Sequence, residues 1–410
     1  MPKALEGLRV VDATHVLAGP FATYQLAVLG AEVIKIESPH SPDQARMQGS
    51  DRALNDMGMG TAFMAQASNK KAVALDLKTP GGLEAMKRLL DTADVFVANF
   101  RPGAFDALGL GYEALAQRNP RLIYCAISAF GSTGPKLEET GYDNILQAYS
   151  GIMSMTGTRD SGPLKCGAQV VDYATGLAAA FAISTALFQR AQSGKGQFID
   201  VSMLDVSLTL CTSHIASFLW NGSHPEPKGN RYAFATIGEY RAADAGLMVA
   251  ASNLEQQRTL WTVLGREDMI KTNNNQRLDG HAREAEVLAQ IISTRTAQDW
   301  EDFFRSHRIP AARIRRMEEA LSDPHVQARG MIHRHEAPDS PAHGLSVAVA
   351  PFRLSDSPPE INRPPQPMGA QTHEILAALG YTADEMEDLR RDGAINGSAP
   401  AIGLEHRAAS

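Results

Sequence analysis

The 410-residue chain has only three cysteines, Cys125, Cys166 and Cys211, far apart in sequence and odd in number. That argues against a disulfide scaffold or a Cys-based zinc site, and a reducing, cytoplasmic setting is expected. There is no excess of basic residues. Lys plus Arg is 39 against 46 Asp plus Glu, a net charge of -7, so the broad basic footprint of a nucleic-acid binder is missing, and so is that of a membrane-surface protein. The N-terminus carries an early acid, Glu6, and no apolar core of a signal peptide. The longest nearly apolar stretch, Ala174 to Phe188, is broken by Thr175, Gly176, Ser184 and Thr185 and reads as too short to span a bilayer. No G-x-G-x-x-G and no G-x-S-x-G occurs, which removes the main dinucleotide and serine-hydrolase signatures.

What is present is an ordinary globular mixture, 44% hydrophobic and 21% charged, with length for two or three domains. The first two hundred residues alternate strand and helix. Leu8–Ala13, Glu32–Glu37, Ala72–Leu77, Asp94–Ala98, Leu122–Ile127 and Phe198–Met203 read as strands. Phe21–Leu29, Gly82–Thr92, Tyr112–Arg118 and Ala174–Gln192 read as helices. Such alternation predicts an α/β domain with a mostly parallel sheet. From Asn221 to Tyr232 the composition shifts to Gly, Ser, His, Pro and Asn, which reads as a linker. Gly238–Ala251 then reads as a hairpin. Helices follow at Leu254–Leu264, Ala282–Ser293 and Ala297–His307, the last with a capping pair, Thr296 and Asp299. The expected division is 1–220 for the large domain, 221–232 for the linker and 233–328 for a smaller α+β domain. Residues 329–395 return to the large domain through a Pro-rich strap at 357–367, and 396–410 form a disordered tail.

Few residues carry chemistry on their own. His15-Val-Leu-Ala-Gly-Pro20 is a strand-to-helix junction, either a tight turn or an anion site at a helix start. Glu37 ends the second strand where a ribose-binding acid would sit, but the glycines that should accompany it are absent. His333-Arg-His335 has alternate spacing on a strand; no third ligand completes a metal set, so a surface strand is the expectation and no metal is assigned. Asp172 precedes the most apolar helix among small residues. It is either an N-cap or a partly dry carboxylate able to act as a covalent nucleophile.

Read together, the motifs resemble the class III coenzyme A transferases of the CaiB/BaiF type, the group of formyl-CoA and carnitine CoA-transferases. The matching stretches are Leu5-x-Gly-Leu-Arg-Val-Val-Asp12, Ala18-Gly-Pro20, Leu29-Gly-Ala-Glu-Val-Ile-Lys-Ile-Glu37 and Asn69-Lys-Lys-x-Val-Ala-Leu-Asp-Leu-Lys78. They continue with Asp94-Val-Phe-Val-Ala-Asn-Phe-Arg-Pro-Gly103, Asn119-Pro-Arg-Leu-Ile-Tyr124, Gly141-Tyr-Asp143 and Asp172-x-x-x-Gly176. Gly194-x-Gly-Gln-x-Ile-Asp-Val-Ser202 and Asp323-Pro-x-Val-x-Ala-Arg-Gly330 complete an ordered set across nearly the whole chain.

The resemblance implies a Rossmann-like large domain formed by both chain ends, an inserted small domain, and two chains interlocked as a homodimer. It implies an enzyme that moves CoA from an acyl-CoA donor to a carboxylic acid acceptor, with no tightly bound cofactor. Asp172 would be the catalytic nucleophile, passing through an acyl anhydride and an aspartyl-CoA thioester. Coenzyme contacts would come from His15, Val16, Ala18, Leu75, Lys78, Asn99, Phe100, Arg101 and Asp143. The chain also departs from formyl-CoA transferase. Leu17 replaces a glutamine, Ser38 and Ala107 stand where phosphate-binding arginines are found, Asp143 replaces a glutamate, and no glycine-rich active-site loop is recognisable. The related α-methylacyl-CoA racemases place a histidine where Tyr142 stands, and a tyrosine is a poor base near neutral pH. A racemase-like enzyme, with His15 as an alternative base, and a non-catalytic acyl-CoA-binding protein remain the alternatives. The Pro42–Gly60 segment, with Arg46, Arg52, Met57 and Met59, reads either as a surface loop or as an acyl-pocket lid. As a lid, its arginines would hold the far carboxylate of a donor such as succinate.

Overall fold

The structure, a computed structural model, describes residues 2–395; the tail expected at 396–410 lies outside the described residues. Two compact units form: one from 2–152, 165–223 and 330–395, the other from 153–164 and 224–329.

The first unit is built on six parallel strands: β1 (Arg9–Ala13), β2 (Glu32–Glu37), β3 (Lys70–Ala74), β4 (Val95–Ala98), β5 (Ile123–Ser128) and β6 (Phe198–Ser202), in the order β3-β2-β1-β4-β5-β6. The central strands are apolar on both faces because both faces are covered. Val10, Val33, Val95 and Ile123 point to one face, under helices α1 (Ala18–Val28) and α5 (Val170–Ser193). Val11, Ile34, Phe96 and Tyr124 point to the other, under α2 (Pro80–Asp91), α3 (Tyr112–Arg118) and the C-terminal helices. A shorter helix, α4 (Asp143–Tyr149), lies between α3 and α5 in the chain. The chain runs outward from β1 to β3, then returns to the centre and runs out from β4 to β6. The order therefore reverses between β1 and β4, where doubly wound sheets open a crevice at the carboxyl ends of the strands.

Two elements differ from the expectation. β3 begins at Lys70 rather than Ala72, because the buried Lys70 ammonium sits on Asp12 at 2.9 Å and its strand position is tolerated. Helix α5 begins at Val170, so Asp172 lies inside the first turn and is not the N-cap. That helix is also longer than the apolar stretch suggested. At 24 residues it is long and apolar enough to cross a bilayer, by length and composition only, yet Ala179 and Ile183 are fully buried against the sheet core.

The end of the described chain completes the edge of the sheet. Gln371 Oε1 accepts from Ala72 N at 2.8 Å and Thr372 Oγ1 from Ala74 N at 3.0 Å, which satisfies amides that edge strand β3 would otherwise expose. The Pro-rich segment is pinned where Asn69 Oδ1 accepts from Asn362 N and Arg363 N. His335 does not lie on a surface strand. It is buried, with Nε2 3.1 Å from the Ser68 hydroxyl.

The second unit carries an antiparallel sheet, β7 (Ile237–Arg241), β8 (Gly246–Ala250) and β9 (Ala311–Arg313), packed on a core that includes Trp261, Trp300 and Phe304. Strand β9 was not legible because three residues carry no period. Thr296 caps its helix as the spacing implied, accepting from Asp299 N at 3.1 Å.

Candidate active site

The first turn of α5 should leave several backbone N–H groups unpaired, and the residue before it, Gln169, supplies no side-chain cap. The cap comes from elsewhere. Asp143, first residue of α4, lies buried with Oδ2 accepting from Val171 N at 2.8 Å and from Asp172 N at 3.2 Å. Its Oδ1 accepts from Gln147 Nε2 at 2.5 Å, and Gln147 Oε1 accepts from Cys166 N at 2.8 Å. Both Asp143 oxygens are thus committed to protein donors, which leaves no free oxygen for the coenzyme contact expected of this residue.

The consequence falls on Asp172. Its half-buried carboxylate makes no hydrogen bond or ion pair to another described residue. Burial, and secondly the charge of Asp143, raise it from 3.8 to about 7. A helix N-terminus ordinarily favours an anion, but the amides that would do so are taken by Asp143. The result is a basic carboxylate in a partly dry place, the character a carboxylate nucleophile needs.

Asp172 is held beside the start of α1 by a close helix contact. A Cβ at Gly176, one turn later on the same face, would lie 2.8 Å from Ala18 O and 2.8 Å from Phe21 Cδ1. Tyr173 stacks edge-on against Phe21 at 4.9 Å. Gly176→Ala is therefore expected to push α5 off α1, costing roughly 1–3 kcal/mol and most of any activity that depends on Asp172. Thermal melting and turnover check this together; wild-type values for both would contradict the close approach.

A cleft of about 510 Å3 opens at the carboxyl ends of β1 to β4. Of the expected coenzyme contacts, His15, Leu75, Lys78 and Phe100 line it, and Tyr142 places its wall next to Asp143. Burial, first among several effects, pushes the His15 ring below its ordinary 6.5, so it is neutral near pH 7; it packs edge-on to Phe100 at 4.8 Å. Lys78 is exposed, and its ammonium has no described partner. Asn99 does not reach into the cleft as a side-chain contact. Its amide clamps His15, accepting from His15 N at 2.9 Å and donating to His15 O at 2.8 Å. Val16 and Ala18 form the turn and the first residue of α1. Arg101 lies away from the first cleft, on a neighbouring cavity of about 400 Å3 with Tyr112, Tyr124 and Asp200.

Several expectations need correction. Arg46 cannot receive a substrate carboxylate, being 1% exposed and doubly bonded to Glu37 at 2.7 and 2.6 Å. Its guanidinium also stacks over Phe63 at 3.8 Å. The same pair occupies both Glu37 oxygens, so Glu37 is not a ribose acid. Met59 is fully buried as well, so much of the 42–60 segment is anchored rather than a free lid; Arg52 and Met57 remain exposed. Cys125, never a candidate nucleophile, is buried, and burial pushes its thiol up to about 12. Sequence reasoning missed Asp43 and Gln66, which lie outside the regular helices and strands, and Gln147, which sits on α4 but reaches across to Cys166 N.

Comparison with known proteins agrees with this geometry. The family model described as CoA-transferase family III matches residues 5–372. A succinate–glutarate CoA-transferase of Agrobacterium fabrum is 37% identical over 92% of this chain and 95% of its own length. The human succinyl-CoA:glutarate CoA-transferase is 34% identical over 96% of this chain and 90% of its own. Among solved structures, a CAIB/BAIF family protein from Brucella suis superposes with a TM-score of 0.80 at 31% identity, covering 92% of this chain and all of the other. Asp172 itself is not among the residues that line the cleft. A cleft at the switch point of a six-stranded parallel sheet and a family match across nine-tenths of the sequence converge: the chain belongs to CoA-transferase family III and is an enzyme of that class, exchanging CoA between an acyl-CoA and a carboxylic acid.

Proposed function

We propose that the chain transfers CoA through covalent catalysis by Asp172, with a short dicarboxylic acid on each side of the exchange. The observation that carries the reading is the unpaired, basic Asp172 carboxylate at the start of α5, a helix that packs at Gly176 against the first residue of α1. In the first step its oxygen attacks the donor thioester carbonyl carbon. The C–S bond breaks, CoA leaves as thiolate, and an aspartyl–acyl anhydride remains. The thiolate then attacks the Asp172 carbonyl carbon and expels the donor acid, giving an aspartyl-CoA thioester. The acceptor carboxylate attacks that thioester and the same two steps run in reverse, releasing the new acyl-CoA and restoring Asp172. The thioester energy is conserved at every stage. Water must be kept from the anhydride, and the small residues around Asp172 suit that need. Backbone amides near Leu17 and Ala18 would stabilise the oxyanions.

His15, Leu75, Lys78 and Phe100 would touch the coenzyme, Lys78 meeting a phosphate with its ammonium. Val16, Ala18 and Asn99 would shape the turn. The dicarboxylate class follows from the substrate names of the two relatives. An interlocked homodimer fits the exposed apolar side chains on α5, where Phe181 is 75% and Phe188 69% exposed, and the 89% exposure of Trp220.

The test is a chromatographic assay of acyl-CoA products with succinyl-CoA and a panel of acids from acetate to adipate. Glutaryl-CoA or a neighbouring dicarboxylyl-CoA is expected, at constant total thioester. Turnover confined to monocarboxylates would overturn the dicarboxylate class. Exchange of the α-proton without acyl transfer would replace the reaction with a racemase-like one.

A further inference from the structure

The turn between β1 and α1 holds a valine in a conformation that valine avoids. Val16 has φ of +68°, in the left-handed region, which a β-branched side chain rarely adopts. Two side chains from outside impose it, one on each backbone group of the residue.

Asp43 Oδ1 accepts from Val16 N at 2.9 Å. Gln66 Nε2 donates to Val16 O at 2.7 Å. Both partners are built in. Asp43 is 5% exposed, and its Oδ2 accepts from Lys35 Nζ at 3.1 Å. Lys35 also donates to Thr14 O at 2.6 Å, so the same ammonium steadies the turn two residues earlier. Gln66 is 3% exposed, and its Oε1 has no partner. Burying an orphan amide oxygen is costly, so the bond to Val16 is what this side chain retains. Asp43 also lines the cleft with Thr14 and His15. An acid facing an anionic coenzyme would repel it, but here the charge is held by Lys35, which points to a holding role.

We infer that Asp43 and Gln66 are positioning residues: by clamping Val16 left-handed they aim the His15–Ala18 turn at the cleft and at Asp172. This rests on the reading of the cleft as the coenzyme site. Without the clamp Val16 relaxes to negative φ, the carbonyl and amide on either side rotate, and the turn loses its alignment with the reacting carbonyl.

The clamp makes a prediction that a structural role does not. Glycine adopts positive φ freely, so removing the side chain of Val16 should make the clamp dispensable. Asp43→Ala is expected to lower kcat for a competent donor roughly ten- to hundredfold, with a smaller change in KM. Adding Val16→Gly to it should recover most of that loss. Gln66→Leu removes the donor and the orphan oxygen together; kcat should fall with no drop in Tm, and Val16→Gly should again rescue it. Full activity in Asp43→Ala and Gln66→Leu, or losses that Val16→Gly fails to recover, would overturn the inference. If the wild-type protein turns over no acyl-CoA, the reading of the cleft has failed rather than the clamp. The clamp is then read from melting alone, where Asp43→Ala should destabilise less in the Val16→Gly background, and equal destabilisation would overturn it.

Discussion

Asp172→Asn is expected to abolish CoA transfer, by about a thousandfold or more, while leaving the fold intact and more stable at alkaline pH. An amide cannot open the thioester or form the anhydride, and loss of a covalent nucleophile removes the pathway rather than slowing one step. The stability effect follows from the direction of the shift. The Asp172 carboxyl is raised from 3.8 to about 7 in the folded chain. The folded state therefore favours the protonated form, and its contribution is fully present below the unfolded value. That contribution is lost as pH rises from about 4 through about 7. With partial solvent access, roughly 1–3 kcal/mol is at stake. The Asn variant carries no such charge, so its melting temperature should exceed the wild-type value at pH 8 and match it near pH 4. In the wild type, kcat/KM should fall on the acid side with a limb near pH 7, because the nucleophile must be ionised. Substantial turnover by Asp172→Asn, or a melting temperature below wild type at pH 8, would contradict this account of the carboxylate.

The second large effect concerns Asp143. Asp143→Asn removes the negative charge that helps to raise Asp172, and keeps a side-chain oxygen able to accept from the start of α5. Asp172 should ionise more readily, so the acid limb of the rate profile should move to lower pH. A less basic carboxylate is also a weaker nucleophile, so the plateau rate should drop by about tenfold. The two changes together separate an electrostatic role from a merely structural one. A loss of rate with the limb unmoved would mean that Asp143 acts only as a cap for the helix.

Much of the fold was legible because buried parallel strands announce themselves. Val10-Val11, Val33-Ile34, Val95 to Val97 and Ile123 to Cys125 are apolar on both faces, as strands covered on both sides should be. β3 began earlier than expected because Lys70 is charged, and sequence pattern cannot tell that Asp12 waits beneath it. Asp172 was legible as a candidate, since small residues before an apolar helix are unusual surroundings for a carboxylate. Its activation was not, because burial, the main cause, is set by the packing of the fold, and the second cause, Asp143, lies 29 positions away and reaches the helix start through the fold. Arg46 misled for a similar reason: an arginine in a polar loop looks available until Glu37 is found against it. Val16 gave no sign at all, because positive φ is read from glycine and no glycine stands there.

The most direct measurement of the central claim is the mass of the intact protein after incubation with succinyl-CoA, with the intermediate trapped by hydroxylamine or borohydride and the peptides mapped. Hydroxylamine converts an aspartyl thioester to a hydroxamate, and borohydride reduces it to the alcohol. The account predicts a single modified peptide with the change on Asp172, absent from Asp172→Asn and abolished when acceptor acid is added in excess before the trap. A wild-type protein that transfers CoA between acids at full rate while no trap ever marks Asp172 would contradict it.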